Sequence, residues 1–171
     1  MDALFPGDII CYYTKWSLIS WLIRKIQHCR WSHVGWVYNE TFILEALSGG
    51  VKFTLLDKLD LKDKDKYLVV RVKKEYITQE QMKDAVILAG ATLTGSGYDW
   101  LQIFKLAWVW AWKMRHTSPA DGNKHKIICS EEIAKMLYYR HKFQFRDDVV
   151  WQNTVPKDIA ESRKVDKLVM E

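Results

Sequence analysis

Residues His33 to Leu47 read His-Val-Gly-Trp-Val-Tyr-Asn-Glu-Thr-Phe-Ile-Leu-Glu-Ala-Leu. Two apolar, β-prone runs, His33–Tyr38 and Phe42–Leu47, flank a short polar stretch, the signature of an antiparallel hairpin. Glu45 lies inside the second run, where a carboxylate has no packing role and, once buried, needs a partner. A three-residue loop at Tyr38-Asn39-Glu40 pairs Val37 with Thr41 and sets His33 directly opposite Glu45. Cross-strand neighbours of this kind have Cβ atoms about 5 Å apart. A two-residue loop would move the register by one and put the two side chains on opposite faces. The hairpin therefore carries a parity condition, and meeting it lets a carboxylate hold an imidazole.

Outward from the hairpin, the first half of the chain reads as strands with one helix inserted, and the second half as helices. Asp8–Tyr13, introduced by Pro6-Gly7, is a β-prone run, and Ser17–Gln27 carries Leu18, Trp21, Leu22 and Ile26 on one helical stripe. Val51–Leu56 and Tyr67–Val72 add two strands, separated by the charge-alternating loop Asp57–Lys66. Thr78-Gln79-Glu80-Gln81 has the form of a capping box opening a helix to about Leu93, and Gly95 and Gly97 follow it. Asp99–Lys113 reads as a helix apolar nearly all round, Lys113–Lys126 as a loop, and Cys129 to about Tyr139 as a helix. Glu131 and Glu132 fall in its first turn, where the helix dipole favours acids. The fold class expected is α+β, in a single domain spanning 1–171.

Composition narrows the function classes. With 27% charged and 49% hydrophobic residues, the chain is an ordinary globular sequence rather than a disordered one. Its 26 Lys+Arg against 21 Asp+Glu leave +5, a charge suited to contact with an anionic membrane or cell-wall surface. The basic residues are not striped with aromatics, so no nucleic-acid groove is expected. Three cysteines without CxxC spacing imply neither a disulfide framework nor a thiolate metal site, and no motif calls for a cofactor. The opening Met1-Asp2-Ala3 lacks a secretion signal, and the apolar stretch Trp100–Trp112 is too short to cross a bilayer. The expectation is a cytoplasmic protein, reaching a cell wall only by release on lysis.

Cys129 is the first candidate for chemistry. A thiol in the first turn of a helix meets unpaired backbone amides and the positive dipole end, which lower a cysteine pKa. His33 is the imidazole that such a nucleophile requires, its direction fixed by the strand it opens. Cys11, in a strand, and Cys29, between His28 and Arg30, are weaker nucleophile candidates because no helix start follows them. Each candidate also has a purely structural reading: a small buried hydrophobe for Cys129, a satisfied strand histidine for His33, a water-facing strand acid for Glu45. Trp100, Trp108, Trp110 and Trp112 form either a core helix or an apolar wall for an acyl chain.

The order His33, Glu45, Cys129 resembles the circularly permuted branch of the NlpC-like papain-fold cysteine hydrolases, the YiiX-like proteins in particular. The resemblance is carried by Gly7-Asp8-Ile9-Ile10, Ser17 to Arg24, Ser32-His33-Val34-Gly35, Ile43-Leu44-Glu45-Ala46, Tyr98-Asp99-Trp100-Leu101, Cys129-Ser130-Glu131 and Val155 to Ala160, in that order. It implies a papain-like antiparallel sheet flanked by helices, Cys129 as nucleophile, His33 as base and Glu45 as its orienter. Tyr98 looks like the tyrosine that lines the oxyanion site in unpermuted relatives, although the span from Tyr98 to Cys129 is much longer here. The function expected is a cysteine-dependent amide hydrolase acting on a peptide, cell-wall peptides included, through an acyl-enzyme. A lipid amidase or acyltransferase of the same fold, and a binding module without chemistry, are the alternatives.

Overall fold

A computed structural model describes residues 3–15, 17–47, 49–98, 126–127 and 129–170. The expected helix Asp99–Lys113, its tryptophan cluster and nearly all of the loop Lys113–Lys126 lie outside the described residues. Six strands form one antiparallel sheet in the order β4-β3-β2-β1-β5-β8. These are β1 (Ile9–Tyr12), β2 (His33–Val37), β3 (Phe42–Leu47), β4 (Gly50–Leu55), β5 (Tyr67–Val72) and β8 (Val165–Leu168). Helix α1 (Leu18–Gln27) connects β1 to β2, and α2 (Gln79–Leu93) follows β5. A small parallel pair, β6 (Gly97–Tyr98) with β7 (Lys126–Ile127), precedes α3 (Cys129–His141), and α4 (Pro156–Ala160) leads into β8. The α+β expectation holds, and the C-terminal strand and short helix are additions to it.

Local chemistry sets the element boundaries. Ser17 caps α1 by accepting from the Ser20 amide at 3.2 Å. At α2, Thr78 Oγ1 accepts from the Gln81 amide at 3.3 Å while Gln81 Oε1 accepts from the Thr78 amide at 2.9 Å, the reciprocal pair expected of the motif. α2 buries Met82, Ala85, Val86, Ala89 and Leu93 in the larger core cluster. Those positions recur at helical spacing and make one apolar stripe. Gly7, at φ +100°, brings its backbone against α2: a Cβ there would lie 2.6 Å from the Met82 Cβ. Beside it, fully buried Asp8 takes a two-point contact from Arg71, Nε at 2.7 Å and Nη2 at 2.8 Å, which ties the start of β1 to β5.

The hairpin differs from expectation in one respect. Trp36 pairs with Leu44 and Val37 with Ile43, so the register puts Glu45 opposite Gly35, two positions along from His33. The loop has three residues, but they are Asn39-Glu40-Thr41 rather than Tyr38-Asn39-Glu40. Asn39 Oδ1 accepts from the amides of Thr41 and Phe42 at 2.9 and 2.8 Å, and that side-chain turn centres the loop one residue later. A shift of two preserves parity. His33 and Glu45 therefore share a face as diagonal rather than direct neighbours.

Candidate active site

β2 is buried along its whole length, and His33 at its start is 8% exposed. Diagonally across the sheet, Glu45 is 3% exposed. His33 Nε2 lies 3.0 Å from Glu45 Oε2. Two hydroxyls complete the carboxylate's shell: Tyr12 Oη donates to Oε2, and Thr54 contributes a side-chain hydrogen bond from β4. Burial alone raises a carboxyl pKa, but the His33 hydrogen bond and charge, with the Thr54 and Tyr12 hydroxyls, outweigh it and hold Glu45 below its ordinary value. A buried carboxylate with these donors is a fixed negative charge.

Cys129 opens α3, which packs across β2 and β3. Its side chain hydrogen-bonds His33, and the backbone amides of Val34 and Ser130 point at the sulfur. With Nε2 on Glu45, the ring's Nδ1 is the nitrogen left for the thiol. Burial opposes a thiolate, yet the His33 charge, its hydrogen bond and the two amides outweigh that cost and lower the Cys129 pKa. The imidazole shows the complement: burial pulls its pKa down, while the Cys129 charge, followed by hydrogen bonds to Cys129 and Glu45, carries it above the ordinary range. The pair therefore favours thiolate and imidazolium.

The other two thiols behave oppositely. Burial pushes Cys11 far up, and burial also raises Cys29. Tyr98 is described in its backbone only. Its strand β6 pairs with Ile127, two residues before Cys129, which brings Tyr98 to the approach of the helix that Cys129 opens.

Two nearby residues were given no part in the site by the sequence. Tyr12 pairs with His33 across β1 and β2, its ring meeting the imidazole edge-on at 4.8 Å between centroids. Strand pairing at this separation leaves no sequence signal beyond a tyrosine in a β-prone run. Glu132, placed by the sequence in the first turn of this helix, is 1% exposed, and its Oε1 has no hydrogen-bond partner among the described residues. Burial, aided by the Cys129 and Glu45 charges and opposed by that of His33, pushes its pKa up to about 8. Ser130, beside Cys129, donates to the Thr154 carbonyl at 2.8 Å and ties α3 to the segment entering α4. Among the described residues, no group of three or more His, Cys, Asp or Glu side chains sits close enough to hold a metal ion.

An open cavity of about 270 Å3 adjoins His33, walled by the first turns of α1 and reaching Lys52 on β4. Among the described residues, no helix is long and apolar enough to cross a membrane.

Comparison with known proteins agrees with this architecture. The sequence profile of the permuted papain-like amidase enzymes, YaeF/YiiX, C92 family, matches residues 3–105. The crystal structure of the metalloprotein yiiX from Escherichia coli O157:H7 superposes with a TM-score of 0.68. It is 19% identical, and the match covers 98% of this chain and 97% of that one. No curated protein matches the chain.

Proposed function

The chain belongs to the permuted papain-like amidases of the YaeF/YiiX, C92 family, and from that premise we propose that it hydrolyses amide bonds through Cys129, with His33 as base and Glu45 as its orienter. The contact of the Cys129 thiol with an imidazole already held by a buried carboxylate carries the reading. In the proposed cycle the thiolate attacks the amide carbonyl, forming a C–S bond. As the C–N bond breaks, the imidazolium hands its proton to the leaving amine. The neutral imidazole then takes a proton from water, whose oxygen attacks the thioester. The carboxylic acid departs, and thiolate and imidazolium are restored. Tyr98 is assigned to the lining of the oxyanion site. The metal in the relative's name has no counterpart that the described residues could hold, and this cycle uses none.

The test is mass spectrometry of the protein incubated with a panel of peptide amides, cell-wall peptides and N-acyl amides. An acyl mass on Cys129 in the wild type, with turnover lost in Cys129→Ala, is the expected result. Turnover retained in Cys129→Ala would overturn the mechanism.

A second reading, a lipid-directed amidase or acyltransferase, is favoured by α1. Leu18 is 85% and Trp21 52% exposed on that helix, with Lys25 over the Trp21 ring, while Ile19 and Ile23 wall the cavity beside His33. A panel in which only long-chain N-acyl amides acylate Cys129 would select this reading over the peptide one.

A further inference from the structure

The cavity adjoins the site at His33, and its walls are unequal in character. The first turns of α1 contribute Ser17, Ile19 and Ile23, and Thr14 precedes them. Apart from His33, the ionisable side chain among the described lining residues is Lys52, and none of that lining is acidic. Lys52 stands directly across from Glu45 in the β3–β4 register. A lysine opposite a glutamate on one face of a sheet ordinarily pairs with it. Here it does not. Glu45 is committed to His33, Tyr12 and Thr54, and Lys52 forms no ion pair among the described residues. The triad carboxylate is thus satisfied from three other directions, and Lys52, exposed beside it, lines the cavity.

We propose that Lys52 is a substrate-binding residue that receives a carboxylate on the limb of the amide lying in this cavity, so that the enzyme prefers acidic amide substrates. A single ammonium with neighbouring hydroxyls matches the single charge of a carboxylate. A phosphate monoester, near −2 at neutral pH, calls for more donors and more positive charge. Glu45 and the Cys129 thiolate share the one imidazolium, so the site carries a net negative charge, and Lys52 is the cation beside it that offsets this charge for an incoming carboxylate. This inference rests on Cys129 being the nucleophile, and its test separates the two.

The experiment compares alkylation of Cys129 by iodoacetate and by iodoacetamide, probes of nearly equal size that differ by a carboxylate. Site-resolved mass spectrometry measures the rate at Cys129 apart from Cys11 and Cys29. The expected result is that Lys52→Gln lowers the iodoacetate-to-iodoacetamide rate ratio by about three- to tenfold, as for one charge several ångströms away in a wet cleft. Lys52→Arg should keep most of the wild-type ratio. A ratio unchanged in Lys52→Gln, with Cys129 reacting rapidly with both probes, overturns the role of Lys52 and leaves the nucleophile standing. Cys129 reacting no faster than a free thiol with either probe overturns the nucleophile and this inference with it.

Discussion

Glu132 stores a pH-dependent cost that a single substitution exposes. Its side chain is fully buried one turn along α3 from Cys129, and one carboxyl oxygen has no hydrogen-bond partner among the described residues. With its pKa pushed up to about 8, the native state keeps this acid protonated at neutral pH. The unfolded chain releases that proton near the usual glutamate value of about 4.3. The native state thus binds a proton that the unfolded state does not. The associated stability is fully present below about pH 4.3, declines as pH rises, and is lost by about pH 8. At 1.36 kcal/mol for each pH unit above the unfolded pKa, the cost is about 1 kcal/mol at pH 5 and about 3–4 kcal/mol at pH 7. Glu132→Gln cannot ionise in either state, so it removes this dependence. Any fixed cost of placing an amide there cancels when two pH values are compared. Urea unfolding of both proteins should show the stability of Glu132→Gln relative to wild type rising by about 2–3 kcal/mol between pH 5 and pH 7. A difference that is flat across that interval, or that falls, would refute a neutral buried acid at this position.

Two further outcomes follow from the site. The rate of Cys129 alkylation should rise with pH through a midpoint below the ordinary thiol value, because the lowered Cys129 pKa and the raised His33 pKa favour the ion pair at neutral pH. In His33→Ala that midpoint should return to or above the free-thiol range, since burial is then unopposed by the ring; an unmoved midpoint would show that the imidazole does not hold the thiolate. Tyr12→Phe removes a hydroxyl donor from buried Glu45 and should cost about 1–3 kcal/mol in chemical unfolding at pH 7; wild-type stability in this variant would show that the carboxylate does not depend on Tyr12.

The parts of this architecture legible in the sequence are those governed by neighbours along the chain. The Thr78–Gln81 box, the helix read from Ser17 to Gln27 and the two strands either side of Asn39 are local, and each reappears within a residue of its expected position. Glu45 was legible for a different reason: an acid inside Phe42–Leu47 violates the apolar pattern, and a violation at a buried position points to a partner. What sequence reading missed is decided by contacts that the chain order does not reveal. The Asn39 side-chain turn moved the register by two, Tyr12 reached the site because β1 sits between β2 and β5, and packing of α3 on α2 and the sheet buried Glu132. The edge strand β8, with Asp166 and Lys167 at its centre, has too little apolar pattern to stand out before β5 is seen to pair with it.

These contacts also explain how a thiol late in the chain reaches a histidine near its start. β1 pairs with β2 on one side and β5 on the other, so the strand carrying His33 is fixed within the sheet. β8 adds to the far side of β5 and returns the C-terminal segment to the same sheet. Between them, α3 is held by its packing on α2, β2 and β3 and by the Ser130 bond to Thr154, just ahead of α4. The position of Cys129 is therefore set by both ends of the chain. A loosened C-terminal segment would withdraw the support at Ser130 and act first at the sulfur, before it disturbed the His33–Glu45 pair that the sheet alone maintains.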